Sequence, residues 1–322
     1  MKKYTIIALV LAAVLALTGC ANQSSTKKLT IGIVQYIDHI ALDSAREGFV
    51  TALSDNGYVD GENLAIDLQN AQGDQSNLST ISDRFVSNKV DLVLAIATPA
   101  AQSIAGKTTE IPILATAVTD FESAKLVDSA AAPGVNVSGT TDMNPIKEQI
   151  DLLVKLVPDA KTIGVLYTSG EDNSILQAAI AKDAINALGL AYTEVTVTNS
   201  NDVQQATQSI VSQCDAIYIP TDNVFASAMP VVHGVTSQSK TPVICGESGM
   251  VNSGGLATLG INYYDLGYQT GLMAVKILKG EATPATMPIE SASGFDFAIN
   301  GTVAKEIGIE IPADLAQYVI EE

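Results

Sequence analysis

The chain has 322 residues, more than the roughly 250–300 that a single hydrophobic core supports, so we expect two domains. Hydrophobic residues make up 47% and charged residues 16%, a composition that argues against a disordered protein. Asp and Glu number 35 against 17 Lys and Arg, and the net charge of −18 argues against a nucleic-acid partner, whose phosphates it would repel. With two His and three Cys, we expect no metal site and no cofactor.

The N-terminal sequence predicts a targeting segment rather than part of a folded domain. Lys2 and Lys3 precede an apolar run at 6–17, about twelve residues, which is short of the ~20 that span a bilayer and fits a signal peptide. Leu17-Thr18-Gly19-Cys20 then matches a bacterial lipobox, although an ordinary secretory signal with an accidental Cys is the alternative. We expect residues 1–19 to be a lipoprotein signal peptide and residues 20–28 a polar tether. Cys20 would carry a lipid that anchors the protein outside the cytoplasm, on the bacterial cell membrane.

Two series of alternating strands and helices follow the tether. Short apolar runs rich in branched residues predict buried strands, and apolar residues at helical spacing predict amphipathic helices. The first series has strands at 29–35, 64–68, 91–96 and 111–118, and helices at 40–56, 75–88 and 98–107, the last capped by Thr98. The second has strands at 162–167, 192–197, 215–220 and 242–245, extended pieces at 253–261 and 294–299, and helices at 145–156, 171–188, 203–212, 223–237 and 265–278.

Strands separated by helices imply parallel sheets covered on both faces, so the fold class is α/β with two doubly wound lobes. Ligands of such sheets bind beyond the carboxyl ends of the strands, so the loops that follow the strands are the candidate binding segments. The loop after the first strand, at 35–39, offers the ring of Tyr36 and a donor or acceptor on His39. The alternative is that Asp38 caps the following helix and that the two rings are merely half-buried. The loop at 97–102 offers the Thr98 hydroxyl and a helix N-terminus, which together favour binding of an anion. The alternative is that Thr98 only caps this helix and binds no ligand.

Loops of the second half are acidic instead. They carry Glu171, Asp172, Asp222 and Glu247, which either face a ligand or complement helix dipoles. A ligand with a carboxylate and an ammonium group would suit a cleft between the two halves. The only two Arg residues fall inside predicted helices, at 46 and 84, which argues against a phosphorylated ligand.

Catalytic motifs are missing from the sequence. It contains no G-x-S-x-G elbow, no dinucleotide-binding glycine motif after the first strand and no phosphate-binding loop. Two distant His residues also supply no evident base for a Ser or Cys nucleophile. We therefore predict a binding protein rather than an enzyme.

Four strings resemble a known family: IGIVQYIDHIALDSAREGF at 31–49, AIATPAAQ at 95–102, VSGTTD at 137–142 and IPTDN at 219–223. They are similar to the substrate-binding lipoproteins of ABC importers that bind tryptophan and other aromatic amino acids. The resemblance implies the type I periplasmic-binding-protein fold, with an ABC permease and ATPase as partners. It also implies three crossings between lobes, near 139–143, 258–263 and 283–291. The N-terminal lobe would comprise 29–140 plus 263–285, and the C-terminal lobe 141–262 plus 286–322.

The resemblance also implies a set of ligand contacts. Those on the first-lobe wall would be Gln35, Tyr36, Thr98 and Ala100, and those on the second Glu171, Asn173, Ser174 and Asp222. The candidates His39, Thr140 and Glu247 complete the predicted ligand-binding set.

We hypothesise a monomeric, lipid-anchored receptor for a small zwitterion, an aromatic or large apolar amino acid. Thr98 and nearby backbone N–H groups would hold the carboxylate, and Glu171 or Asp222 the ammonium group. Two alternatives stay open at this point: the same fold binding a nucleoside or sugar, and a surface sensor or adhesin.

Overall fold

The computed structural model describes residues 28–320. The predicted signal peptide, Cys20 and the tether up to residue 27 lie outside the described residues. Within 28–320, no helix is both long and apolar enough to cross a membrane. The described chain forms two sheets, each covered by helices on both faces, so the expected α/β fold with two doubly wound lobes is confirmed.

The first sheet has six strands in the order β11-β5-β4-β3-β1-β2, and every pairing is parallel. Strands β1, β3 and β4 lie in its interior and are almost wholly buried, as their apolar sequences predict. The strands of this sheet are β1 (Leu29–Gln35), β2 (Leu64–Asn70), β3 (Leu92–Ile96), β4 (Ile113–Val118), β5 (Val137–Thr141) and β11 (Glu290–Ser291).

The second sheet has seven strands in the order β13-β12-β10-β9-β8-β6-β7. Its pairings are parallel except that of β10 with β12. The strands are β6 (Thr162–Thr168), β7 (Ala191–Val197), β8 (Ala216–Ile219), β9 (Val243–Cys245), β10 (Ala257–Gly260), β12 (Asp296–Asn300) and β13 (Val319–Ile320).

The helices follow the predicted order with three differences. They are α1 (Ile40–Asp55), α2 (Gln75–Asn88), α3 (Thr98–Ala105), α4 (Ile146–Leu156), α5 (Asp172–Ala187), α6 (Val203–Ile210), α7 (Asn223–Ser227), α8 (Met229–Ser239), α9 (Ser248–Asn252), α10 (Tyr263–Leu278) and α11 (Gly301–Ile307). The single helix expected at 223–237 is two, because Pro230 in the first turn of α8 lacks the N–H that a continuous helix needs. Helix α9 was not predicted. The expected cap by Thr98 is wrong, because Ala97 occupies the cap position and the Thr98 hydroxyl makes no cap bond.

The chain crosses between the sheets three times, as expected. The first crossing follows β5 and the second joins β10 to α10, both close to the predicted positions. The third lies later than predicted, because Glu290 and Ser291 pair with Thr140 and Thr141 in the first sheet. The chain reaches the second sheet only at Asp296, so the predicted start of the C-terminal lobe at residue 286 falls too early.

Helix α10 returns from the second crossing to lie against α1 in the first lobe. Backbones of the two helices touch at glycines: a Cβ on Gly48 would lie 2.0 Å from the carbonyl oxygen of Tyr264, and one on Gly267 would lie 1.9 Å from that of Ala45. This close packing fixes the end of the second crossing, and with it Tyr263, beside the carboxyl ends of the first-lobe strands.

Candidate functional site

A cleft lies between the loops at the carboxyl ends of the two sheets. Both lobes and both of the first two crossings contribute to its lining. The first lobe provides His39, Leu42, Ala117 and Thr119, the crossings provide Asp142 and Tyr263, and the second lobe provides Asn173, Thr221, Asp222, Asn223, Ala226 and Glu247.

The lobes touch across this cleft. His39 Nε2 lies 3.2 Å from Asn223 Oδ1, and Gln177 Nε2 donates to Thr119 Oγ1 at 3.1 Å. Burial lowers the pKa of His39 to about 4, against the smaller opposing effect of its bond to Asn223, so this contact forms with a neutral imidazole. The structure is therefore a closed form, from which a ligand exchanges with solvent only when the lobes separate.

Four carboxyl groups lie buried around the cleft: Asp142, Glu171, Asp222 and Glu247, each at most 4% exposed. Burial is the main cause of a raised pKa in all four. Their hydrogen bonds differ, however, and this difference separates groups that support the fold from groups with an oxygen left for a ligand.

Glu171 has one oxygen without a partner. Its Oε2 accepts from Asn173 Nδ2 at 3.1 Å, from the backbone N–H of Asn223 at 3.3 Å and from the Asn223 side-chain amide. Its Oε1 and the Oδ1 of Asn173 are buried without a hydrogen-bond partner. Burial and the charge of Asp222 raise the pKa of Glu171 to about 8. The two free acceptors, Oε1 of this carboxyl and Oδ1 of Asn173, would suit a cation that donates hydrogen bonds.

Asp222 is occupied by its own fold. Its Oδ2 accepts from the backbone N–H of Thr168 at 2.6 Å, and its Oδ1 accepts from the Thr168 hydroxyl at 2.8 Å and from the N–H of Phe225 at 2.9 Å. Asp222 therefore caps α7 and ties β8 to the end of β6. Of the two acids that the sequence offered for an ammonium group, Glu171 has the free oxygen.

Replacing Asp222 with Ala is expected to destabilise the ligand-free protein by about 2–4 kcal/mol, because it removes a cap and leaves buried donors of Thr168 unpaired. Urea unfolding would measure the loss. The matched control is Asp74→Ala, which removes the exposed cap of α2, with its bonds to Ser76 and Asn77, and should cost less. Equal losses for the two variants would contradict a role of Asp222 beyond ordinary capping.

The other two acids lie near the crossings. Glu247 caps α9 by accepting from the N–H groups of Gly249 and Met250, and burial raises its pKa to about 7. Asp142 follows β5, and its Oδ2 accepts from the Tyr263 hydroxyl at 2.7 Å. The Oδ1 of Asp142 is buried without a hydrogen-bond partner, although the Thr119 hydroxyl lies close enough to this carboxyl to oppose part of the rise in its pKa. The cleft thus has two carboxyl oxygens that its own residues leave unbonded.

Four predicted site residues line the cleft: His39, Asn173, Asp222 and Glu247. Glu171 and Ser174 are buried against these, since Asn173 Nδ2 donates to both side chains. Thr98 is buried at the end of β3 with its hydroxyl unpartnered, and Ala100 lies two residues further along α3.

The remaining three predicted residues make bonds inside the first lobe. Gln35 accepts from Arg46 Nη1 at 2.6 Å and donates to Asp43 at 2.9 Å. Arg46 lies within a helix, as predicted, but its side chain reaches the end of β1. The buried Tyr36 donates its hydroxyl hydrogen to the Gly73 carbonyl at 3.2 Å. Thr140 exchanges hydrogen bonds with Thr116 and Thr270 beneath α10.

Sequence reasoning missed several lining residues, above all Asp142 and Tyr263. Both lie where the chain changes lobes, just after β5 and just after β10. The sequence did contain a partial signal for these two residues, because crossings were predicted near 139–143 and 258–263. A residue at a crossing borders both lobes, so polar side chains there were candidates for the cleft.

Comparison with known proteins identifies the family. Residues 30–321 match the family model described as ABC transporter substrate binding protein. A tyrosine-binding protein of Clostridioides difficile (strain R20291) is 39% identical over 334 residues, covering 99% of this chain and 96% of the relative. The crystal structure of a Streptococcus pneumoniae ABC domain in complex with L-Trp is 39% identical, covers 91% of this chain and 100% of that chain, and has a TM-score of 0.88.

A third relative bears on conformation. The ligand-free, open structure of a substrate-binding protein with adhesive properties from Clostridium difficile is 44% identical and covers 91% of this chain and 99% of that chain, but its TM-score is only 0.69. The structure of this chain is therefore closer to that of the L-Trp complex than to that of the open relative, although the open relative has the higher sequence identity. This agrees with the hydrogen bonds that join the lobes across the cleft. The chain belongs to the family of ABC transporter substrate-binding proteins, extracytoplasmic solute receptors that serve a transporter and are not enzymes.

Proposed function

We propose that this protein captures an aromatic amino acid in the cleft between its lobes and delivers it to an ABC permease. The observation that carries the proposal is the pair of buried, unpartnered acceptors on Glu171 and Asn173, the second a residue of the cleft lining and the first bonded to it. The described residues that line the cleft include no Lys or Arg. The L-Trp bound to the pneumococcal relative and the tyrosine-binding relative support this ligand class.

The ammonium group of the ligand would lie against Glu171 Oε1 and Asn173 Oδ1. Both oxygens belong to residues at most 6% exposed, so water does not compete with the ligand once the cleft is closed. An ammonium donor there satisfies two buried acceptors and neutralises a carboxylate, which is worth more in a desolvated site than at a surface.

The carboxylate would lie at the start of α3. The Thr98 hydroxyl is buried and unpartnered there, the first turn contains no acidic residue, and the N–H groups at a helix start have no carbonyl one turn earlier. Arg46 and Arg84 pair with Asp43 and Asp67. The ligand carboxylate would therefore be bound by hydroxyl and backbone N–H donors rather than by an Arg side chain.

The side chain of the ligand would pack against the apolar part of the lining, formed by Leu42, Ala117 and Ala226. Seven predicted contacts are buried but lie outside the cleft lining. Two of them, Glu171 and Thr98, would meet the polar ends of the ligand from behind the lining. We propose that the other five position the lining: Gln35, Tyr36, Ala100, Thr140 and Ser174.

Anchoring by a lipid on Cys20 and a monomeric state are parts of the same proposal. Strand β1 starts at Leu29, at the end of the sheet opposite the cleft, so a tether to the membrane would leave the cleft mouth free. Mass spectrometry of the N-terminal peptide tests the anchor, with a lipid-modified Cys20 as the expected result and an unmodified Cys20, or cleavage elsewhere, as the contrary one.

Titration calorimetry of the mature protein against the twenty amino acids, nucleosides and sugars tests the ligand class. We expect binding of aromatic amino acids and none of nucleosides or sugars. Binding of a sugar or nucleoside without any amino acid would overturn the proposal. The protein should first be unfolded and refolded, because a ligand retained through purification would occupy the site.

A further inference from the structure

The unpartnered acceptors of the cleft belong to separate groups of residues. Asp222 and Glu247 have both carboxyl oxygens bonded by the protein, but Glu171 and Asp142 each have one oxygen buried without a partner. Asn173 adds a third free acceptor beside Glu171. One ammonium group placed at Glu171 and Asn173 leaves the Asp142 oxygen unsatisfied, and a buried unsatisfied carboxyl oxygen is costly.

Asp142 and Glu171 belong to different elements and act on different neighbouring acids. Glu171 follows β6 and interacts mainly with the charge of Asp222, whereas Asp142 interacts with Glu247, which follows β9. Strand β8 separates β6 from β9, so the loops that carry Glu171 and Glu247 are two strand spacings apart, on the order of 10 Å. Asp142 faces the second of these loops from the end of β5 in the other sheet. One ligand can reach both regions if it carries donors at its two ends.

The protein holds Asp142 in a fixed orientation. Tyr263, the first residue of α10, donates its hydroxyl hydrogen to Oδ2 at 2.7 Å, and the Asp142 side chain is almost fully buried. Because Asp142 lies at the start of the first crossing and Tyr263 at the end of the second, this bond joins two of the three connections between the lobes. The free Oδ1 belongs to a residue of the cleft lining and is fixed before any ligand arrives.

We propose that Asp142 accepts a hydrogen bond from the ring of the ligand, from a phenol hydroxyl or an indole N–H, and thereby selects tyrosine- and tryptophan-like ligands over phenylalanine and aliphatic amino acids. The inference rests on the proposed function and adds a residue that determines specificity. A site built to bond a hydroxyl or N–H discriminates strongly against an analogue without it, because the buried acceptor is then left unpaired.

The test compares tyrosine, tryptophan and phenylalanine by calorimetry, in the wild type and in Asp142→Ala. We expect the wild type to bind phenylalanine at least about a hundredfold more weakly than tyrosine. In Asp142→Ala the ratio of the two dissociation constants should fall below about tenfold, mainly through weaker tyrosine binding. The ratio is the readout, since a general effect on folding or closure changes both constants alike.

Tyr263→Phe is the matched control. It removes the hydroxyl that orients Asp142 but keeps the acceptor, so binding of all three ligands should weaken while tyrosine stays preferred over phenylalanine. The wild-type comparison needs no variant and remains decisive if Asp142→Ala fails to fold.

The outcomes separate the inference from the function on which it rests. Equal wild-type affinities for phenylalanine and tyrosine would overturn the role of Asp142 and leave an aromatic amino-acid receptor. A ratio unchanged in Asp142→Ala would also overturn it, because another group would then accept the ring donor. Failure of all three ligands to bind would overturn the proposed function as well.

Discussion

Replacing Glu171 with Gln is expected to weaken tyrosine and tryptophan binding by roughly a hundredfold or more. The Oε2 position of Glu171 receives N–H groups from Asn173 and Asn223, so the single carbonyl oxygen of a Gln must occupy that position. The amide NH₂ would then occupy the position of the free Oε1, where the ligand ammonium is expected. A favourable charge pair becomes a contact between two donors, in a site closed to water.

Glu247→Gln is the control for this prediction. Glu247, like Glu171, is a buried acid, and it lines the cleft, but its oxygens already bond the N–H groups of Gly249 and Met250. Calorimetry at pH 8 should show a small change in affinity for Glu247→Gln beside the large loss for Glu171→Gln. Similar losses in both variants would indicate that the summed negative charge of the cleft, rather than a contact with Glu171, attracts the ligand.

The fold could be predicted from the sequence because its signals are local. Apolar runs of strand length alternate with helical periodicity from Leu29 onward, and parallel sheets follow from that alternation. The rule that ligands bind at the carboxyl ends of strands then placed His39, Asn173, Asp222 and Glu247 at the cleft, where the structure has them. Where a local signal was ambiguous, as for Thr98 at the start of α3, the expected cap proved wrong.

The chemistry of the site was harder to predict because it depends on which oxygens are already bonded. Glu171 and Asp222 look equivalent in the sequence, as acids at helix starts. Only the bonds from Thr168 and Phe225 show that Asp222 supports the fold, and only the free Oε1 distinguishes Glu171. Asp142 was missed for a related reason, since its neighbour in space, Tyr263, is 121 residues away along the chain.

Ligand affinity is expected to rise between pH 6 and pH 8, by up to about tenfold per unit. In the ligand-free closed cleft, burial and the charge of Asp222 raise the pKa of Glu171 to about 8, so this carboxyl is protonated at pH 6. An ammonium group beside it favours the carboxylate, so ligand binding lowers this pKa and releases a proton. Affinity is therefore lost as the pH falls through the raised pKa of the ligand-free protein.

Calorimetry of tyrosine binding in buffers of different ionisation enthalpy would count the protons released at each pH, and Glu171→Gln should give a flat profile. His39, with a pKa lowered to about 4, stays neutral throughout the range. Burial raises the pKa of Glu247 to about 7 and also raises the pKa values of Asp142 and Asp222, so a slope that survives in Glu171→Gln would come from one of these three acids. A flat wild-type profile would contradict the prediction, because it would mean that Glu171 is already ionised when the ligand arrives. Proton release in the wild type alone would tie the titration to the carboxyl group that we propose holds the ammonium.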